Sequence, residues 1–124
     1  MMLNKWDVLL VWCANLPQAH NKYCICIDPA QHWFFFINSS PPYARRAREV
    51  AITVAVHEAP FLTHQSYIDT TSIERLHADE VTAALAEADR RKGRISPTLV
   101  NRIKATVQGH GALNADEMSA VLND

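Results

Sequence analysis

The chain has 124 residues, 48% hydrophobic and 20% charged, with a formal net charge of −1 at pH 7. That length supports one domain with a single modest core, and the composition excludes an intrinsically disordered chain. The near-neutral balance excludes nucleic-acid binding through bulk charge, and no apolar run approaches the roughly 18 residues of a membrane-spanning helix.

Met1–Lys5 carries no small-residue cleavage site and runs directly into a strand, so no signal peptide is expected. Trp6–Trp12 alternates at its start and then becomes continuously apolar, as a strand buried on both faces does. Ala14–Asn21, with Pro17, reads as a loop, and Tyr23–Ile27 as the second strand. Cys24 and Cys26 fall two apart on that strand and so share a face. With Cys13 they make an odd number of thiols, best read as reduced core residues, and a cytoplasmic location is the expectation. Asp28–Gln31 has the Asp-Pro chemistry of a tight turn, which joins the second strand to His32–Ile37 as a hairpin. Asn38–Pro42 ends that third strand, because two prolines cannot continue a ladder. A loop then runs through Tyr43 and the arginines to a fourth strand, Val50–Val56, and a fifth follows at Ser66–Thr70.

After Thr71 the apolar period lengthens to that of a helix. Ala78–Arg91 sets Val81, Ala84, Leu85 and Ala88 in one stripe, with acids first and bases last, and Gly93 stands where a helix would stop. Ser96-Pro97 is a capping serine followed by proline at the first helical position, opening a helix that ends near Gly109. Asn114 with Glu117 forms a capping-box variant for a short last helix. The expected fold is a single α+β domain, with a small curled β part of five or more strands over 1–76 and a helical part over 77–124.

Chemistry-bearing residues are sparse. His20, Cys24, Cys26 and His32 lie close together, but a C-x-C within a strand sends its sulfurs in parallel into the core. Buried thiols and surface imidazoles are therefore preferred to zinc, and neither metal nor cofactor is expected. The three glycines all follow residue 92, so a glycine-rich phosphate loop is excluded. Three of the five cations in the first 64 residues are Arg45, Arg46 and Arg48, beside Tyr43. Guanidiniums match phosphate oxygens and a tyrosine can stack a base, whereas the plain alternative is a solvated loop that keeps an edge strand soluble. His57, next to Glu58 at the end of the fourth strand, has the residue type for proton transfer, and His64 has the same ambiguity with less support.

Asn4–Leu9 resembles the first strand of the MazF/PemK toxins, whose opening carries Gly-Asp-Val at this place. Ser66–Ile73 resembles their late strand, and Arg91–Val100 resembles their Gly-Arg-Leu-Ser followed by a final long helix. The resemblance implies a small SH3-like β-barrel with C-terminal helices, a homodimer, a cognate antitoxin protein and metal-independent cleavage of single-stranded RNA. Aligned residue by residue, it puts His57 at a catalytic polar position at the end of the fourth strand. Lys22 stands where the family has the arginine of an Arg-Pro pair, which is absent here. Lys22 or Arg46 would stabilise charge on the phosphorane, and Tyr43, Arg45 and Arg48 would bind RNA. The competing expectation is a catalytically silent SH3-like-barrel module that binds protein or nucleic acid through strand-edge pairing and surface aromatics.

Overall fold

The computed structural model describes residues 2–123. The strands β1 (Asp7–Cys13), β2 (His20–Asp28) and β3 (Trp33–Asn38) form an antiparallel meander. The turn between β2 and β3 is set as its residues dictate: Asp28 Oδ1 accepts from the backbone N–H groups of Ala30 (3.0 Å) and Gln31 (3.2 Å). The Gln31 side-chain amide also donates to Asp28, and these bonds hold the Asp28 carboxyl below its usual range.

Past β3 the chain makes a short helix, α1 (Arg45–Glu49), and then β4 (Ile52–Val54), β5 (Ser66–Ile68) and β6 (Glu74–Arg75). Helix α2 (Ala78–Leu85), a last strand β7 (Arg91–Arg94), α3 (Pro97–His110) and α4 (Ala115–Leu122) complete the chain. All seven strands belong to one curled antiparallel half-barrel in the order β4–β5–β3–β2–β1–β7. Strand β6 shares with β5 the same edge of β3, β5 at Ile37–Asn38 and β6 at Trp33–Phe34.

Both faces of the sheet are packed, which explains the unbroken apolar runs of β1 to β3. One face turns Val8, Ile25, Phe35, Ile37, Val54 and Ile68 toward Leu99, Ile103 and Val107 of α3 and Val121 of α4. The other turns Leu9, Val11, Cys24, Cys26 and Phe34 toward Val81 and Ala84 of α2. The strand period of two makes this division: Cys24 and Cys26 go to one side, Ile25 and Ile27 to the other. The helix starts are those the sequence dictates. Ser96 Oγ accepts from Leu99 N (3.2 Å), and Asn114 and Glu117 make a reciprocal capping box. Ser96→Ala should therefore cost about 1 kcal/mol in urea-melt stability. Lys5 closes the far end of α4, donating to the carbonyls of Ala120 (2.5 Å) and Val121 (3.1 Å).

Several boundaries differ from expectation. The helix predicted to run to Arg91 stops at Leu85, and Arg91–Arg94 is the strand β7 on the outer edge of β1. An unpaired sheet edge outweighs the local helix preference of Ala86–Arg91 there, and Gly93 takes φ +87° within the strand. The loop before β4 holds α1, and β4 itself is three residues long because Val56–Glu58 turns as a 3₁₀ helix. Strand β2 begins at His20, three residues early, since Cys13 of β1 continues pairing to that point. Helix α3 runs past Gly109 to His110 and is terminated by Gly111 in the left-handed conformation.

Candidate functional site

Strand β3 leaves the sheet at Asn38, while β2 extends beyond it as far as His20. The gap between that end of β2 and the chain entering β5 is a cleft of about 170 Å³. Its lining includes His20, Lys22, Ser39, His64 and Ser66. The loop that brings His64 there is anchored from below: Leu62 is buried, and the Phe61 ring lies 4.8 Å from that of Tyr23, whose hydroxyl donates to the Phe61 carbonyl (3.3 Å). Ser66 Oγ donates to the His64 carbonyl (3.1 Å), fixing the last turn of the loop.

Lys22 is half-buried, and its ammonium donates to Asn38 Oδ1 at 2.5 Å and lies 5.5 Å from the Phe36 ring centroid. A charge held by an amide and a ring face has already lost most of its side-chain freedom, so an incoming anion need not order it. Both imidazoles are oriented by main chain. His20 Nδ1 is 2.6 Å from the Gln18 carbonyl oxygen, and His64 Nδ1 is 3.2 Å from that of Gln65. A carbonyl only accepts, so Nδ1 carries the proton in each neutral ring and Nε2 holds the basic lone pair.

The pairing register extends this site sideways. Lys22 bonds Asn38, Asn38 faces Tyr67, and Tyr67 faces Thr53, a polar row across four strands on one face of the sheet that ends on β1 at the buried Val11 opposite Lys22. Asp69, two residues beyond Tyr67, accepts from the N–H (2.9 Å) and hydroxyl (2.6 Å) of Thr71 on Oδ1. Glu74 lies farther down the same face, opposite Phe34. Burial first, and then the Asp69 carboxylate, raise the Glu74 pKa above its ordinary value, while Lys22 opposes them. A raised carboxyl contributes stability that is complete below its unfolded pKa and is lost as pH rises through the folded one. Glu74→Gln should therefore raise the thermal midpoint at pH 7, an advantage that disappears by about pH 4, as paired melts at the two pH values would show.

The three cysteines are free and buried, and burial, with the Asp7 and Asp28 carboxylates, pushes the Cys26 thiol up to about 12. Among the described residues no group of three or more His, Cys, Asp or Glu side chains is arranged to hold a metal ion. No helix among them is long and apolar enough to cross a membrane.

The residues singled out in the sequence lie in three places. Lys22 is in the cleft. Arg45 and Arg46 border a different, open hollow with Glu49 and His110, where His110 is tied to Thr70 Oγ1 at 3.0 Å. Arg45 pairs with Glu49 at 3.1 Å, Arg48 donates to the Tyr43 carbonyl at 3.4 Å, and the Tyr43 side chain is 98% exposed. His57 is exposed on the 3₁₀ turn after β4 and lines neither hollow. Its neighbour Glu58 is committed to Arg102 of α3 (3.3 Å), which also holds the Thr53 carbonyl (2.6 Å), so that carboxylate anchors the turn. His20 entered the sequence reading only as a metal ligand. Its position two residues from Lys22 on one strand, which places both on one face, was the available signal. No protein-family model matches this chain, and no curated protein is significantly similar to it.

Proposed function

We propose that the chain is a metal-independent endoribonuclease that cleaves single-stranded RNA, the toxin component of a MazF/PemK-like toxin–antitoxin pair. One observation carries this reading: a preset lysine ammonium shares a cleft with two histidines whose Nε2 atoms are the basic nitrogens. In-line cleavage needs those three parts. A neutral imidazole takes the 2′-hydroxyl proton, the 2′-oxygen attacks phosphorus, and the P–O5′ bond breaks. The second imidazole, protonated, supplies the proton to O5′, leaving a 2′,3′-cyclic phosphate and a 5′-hydroxyl. Lys22 neutralises charge on the phosphorane oxygens.

On this reading the curled sheet is an SH3-like frame, the chain acts as a homodimer, and a cognate antitoxin blocks the cleft. Arg46 beside His110, with Arg45, Arg48 and the exposed ring of Tyr43, supplies contacts to the strand away from the scissile bond. The test is incubation of purified protein with mixed-sequence RNA in EDTA, with the ends of the products identified. Cleavage ending in cyclic phosphate, with a bell-shaped pH profile and lost in His20→Ala and His64→Ala, is the expected result. Loss in His57→Ala alone would move the active site to the turn after β4, and no cleavage by folded protein would overturn the reading.

A further inference from the structure

The sheet face beside the cleft has a composition that the cleavage chemistry does not use. Helix α2 packs over β1 on this face, and the end of the polar row at Asn38, Tyr67 and Thr53 is accessible, Thr53 being exposed and the other two half-buried. Gln65 Nε2 donates to the Tyr67 hydroxyl at 3.0 Å, which fixes the ring from its outer end. Because an ammonium only donates, Lys22 must face the carbonyl oxygen of Asn38, which leaves the two Nδ2 hydrogens of Asn38 outward. Both Thr71 bonds to Asp69 fall on Oδ1, and Oδ2 has no partner among the described residues. Tyr67 is thus a fixed aromatic ring with the Asn38 amide directly across the strand pair from it and the Asp69 carboxylate oxygen two residues along the chain on the same face.

We propose that this face is a base-reading platform that selects guanine and uracil in single-stranded RNA. The proposal rests on the RNA reading of the cleft and adds its specificity. A base stacked on Tyr67 meets a donor at Asn38 and an acceptor at Asp69. Guanine presents O6 beside N1–H, and uracil O4 beside N3–H, so the carbonyl takes the Asn38 hydrogen and the N–H is given to Asp69 Oδ2. Adenine and cytosine present the inverse, an amine beside a bare ring nitrogen, which sets donor against donor and lone pair against carboxylate. The charges orient the strand: the Asp69 carboxylate repels phosphate from the lower face, whereas the Lys22 ammonium attracts it at the cleft. Duplex RNA is excluded, since its base edges and faces are already occupied.

The test uses fluorescein-labelled 2′-O-methyl hexamers, which lack the attacking hydroxyl and so report binding alone, followed by fluorescence anisotropy. An adenosine hexamer with one central guanosine or uridine should bind about tenfold more tightly than the all-adenosine hexamer. Asp69→Asn, whose amide oxygen still accepts from Thr71, should abolish that difference. Tyr67→Ala should weaken every hexamer by about fivefold or more, and Tyr67→Phe should retain binding and preserve the comparison if the alanine variant does not fold. Equal affinity for all hexamers, or a preference that survives Asp69→Asn, overturns the platform. Selective binding by a protein that cuts no RNA leaves the platform standing and removes the nuclease. Cleavage indifferent to base identity and to Asp69→Asn does the reverse.

Discussion

On the proposed ribonuclease reading, Lys22→Ala should slow cleavage of single-stranded RNA by about 10²–10³-fold, the loss expected on removing one preorganised donor from a developing oxyanion. The expectation follows from how the ammonium is held. Asn38 and Phe36 fix it without neutralising it, so its charge is available to a phosphorane in the proposed reaction. Lys22→Arg should recover little of the loss, because a planar fork does not fit a point-charge position between one amide oxygen and one ring. Asn38→Ala keeps the charge and loses its anchor, and should cost a smaller factor, about tenfold. Single-turnover cleavage of a fluorogenic RNA at saturating enzyme separates these effects on chemistry from those on binding. Circular dichroism of each variant confirms the fold, which a half-buried side chain at the end of the sheet does not control. A Lys22→Ala enzyme within threefold of wild type would place the chemistry elsewhere.

Phe35→Ala should remove about 3–5 kcal/mol of folding stability, against a total of about 5–15 for a domain of this kind. Phe35 is fully buried on β3, and β3 touches β2, β5 and β6. The cavity would therefore open in the core that β3 shares with α3 and α4. Phe36, one position on, is half-buried on the opposite face, and Phe36→Ala should cost clearly less. Urea melts of the two variants compare adjacent rings of the same chemistry, so the difference isolates burial from residue type. A common, small effect would mean that the core is less tightly packed than the burial of Phe35 implies.

The sequence disclosed those parts of the fold whose causes are local. Ser96-Pro97 and Asn114 with Glu117 mark helix starts through hydrogen bonds within four residues, and Asp28 makes its turn in the same way. Strand β7 was hidden because the demand for it comes from β1, more than eighty residues earlier, and the local sequence Ala86–Arg91 favours a helix. The site divides along the same line. Lys22 could be picked out from residue type and resemblance, but its neighbours His64, Asn38, Tyr67 and Asp69 reach it only through the register of β2, β3 and β5 and the anchoring of the Phe61 loop. His57 lay at the end of an alternating run, a position that the 3₁₀ turn then carries away from the strand.

The thiols beneath α2 offer a way to time motions of the chain. Cys24 and Cys26 have no accessible surface, and burial pushes the Cys26 thiol up to about 12. An alkylating reagent needs a thiolate, so it can reach these sulfurs only in conformations in which the helix has lifted from the sheet or the whole domain has opened. The rate at which mass is added then counts those excursions one molecule at a time. Its dependence on urea distinguishes a helix that detaches alone from a domain that opens as a unit.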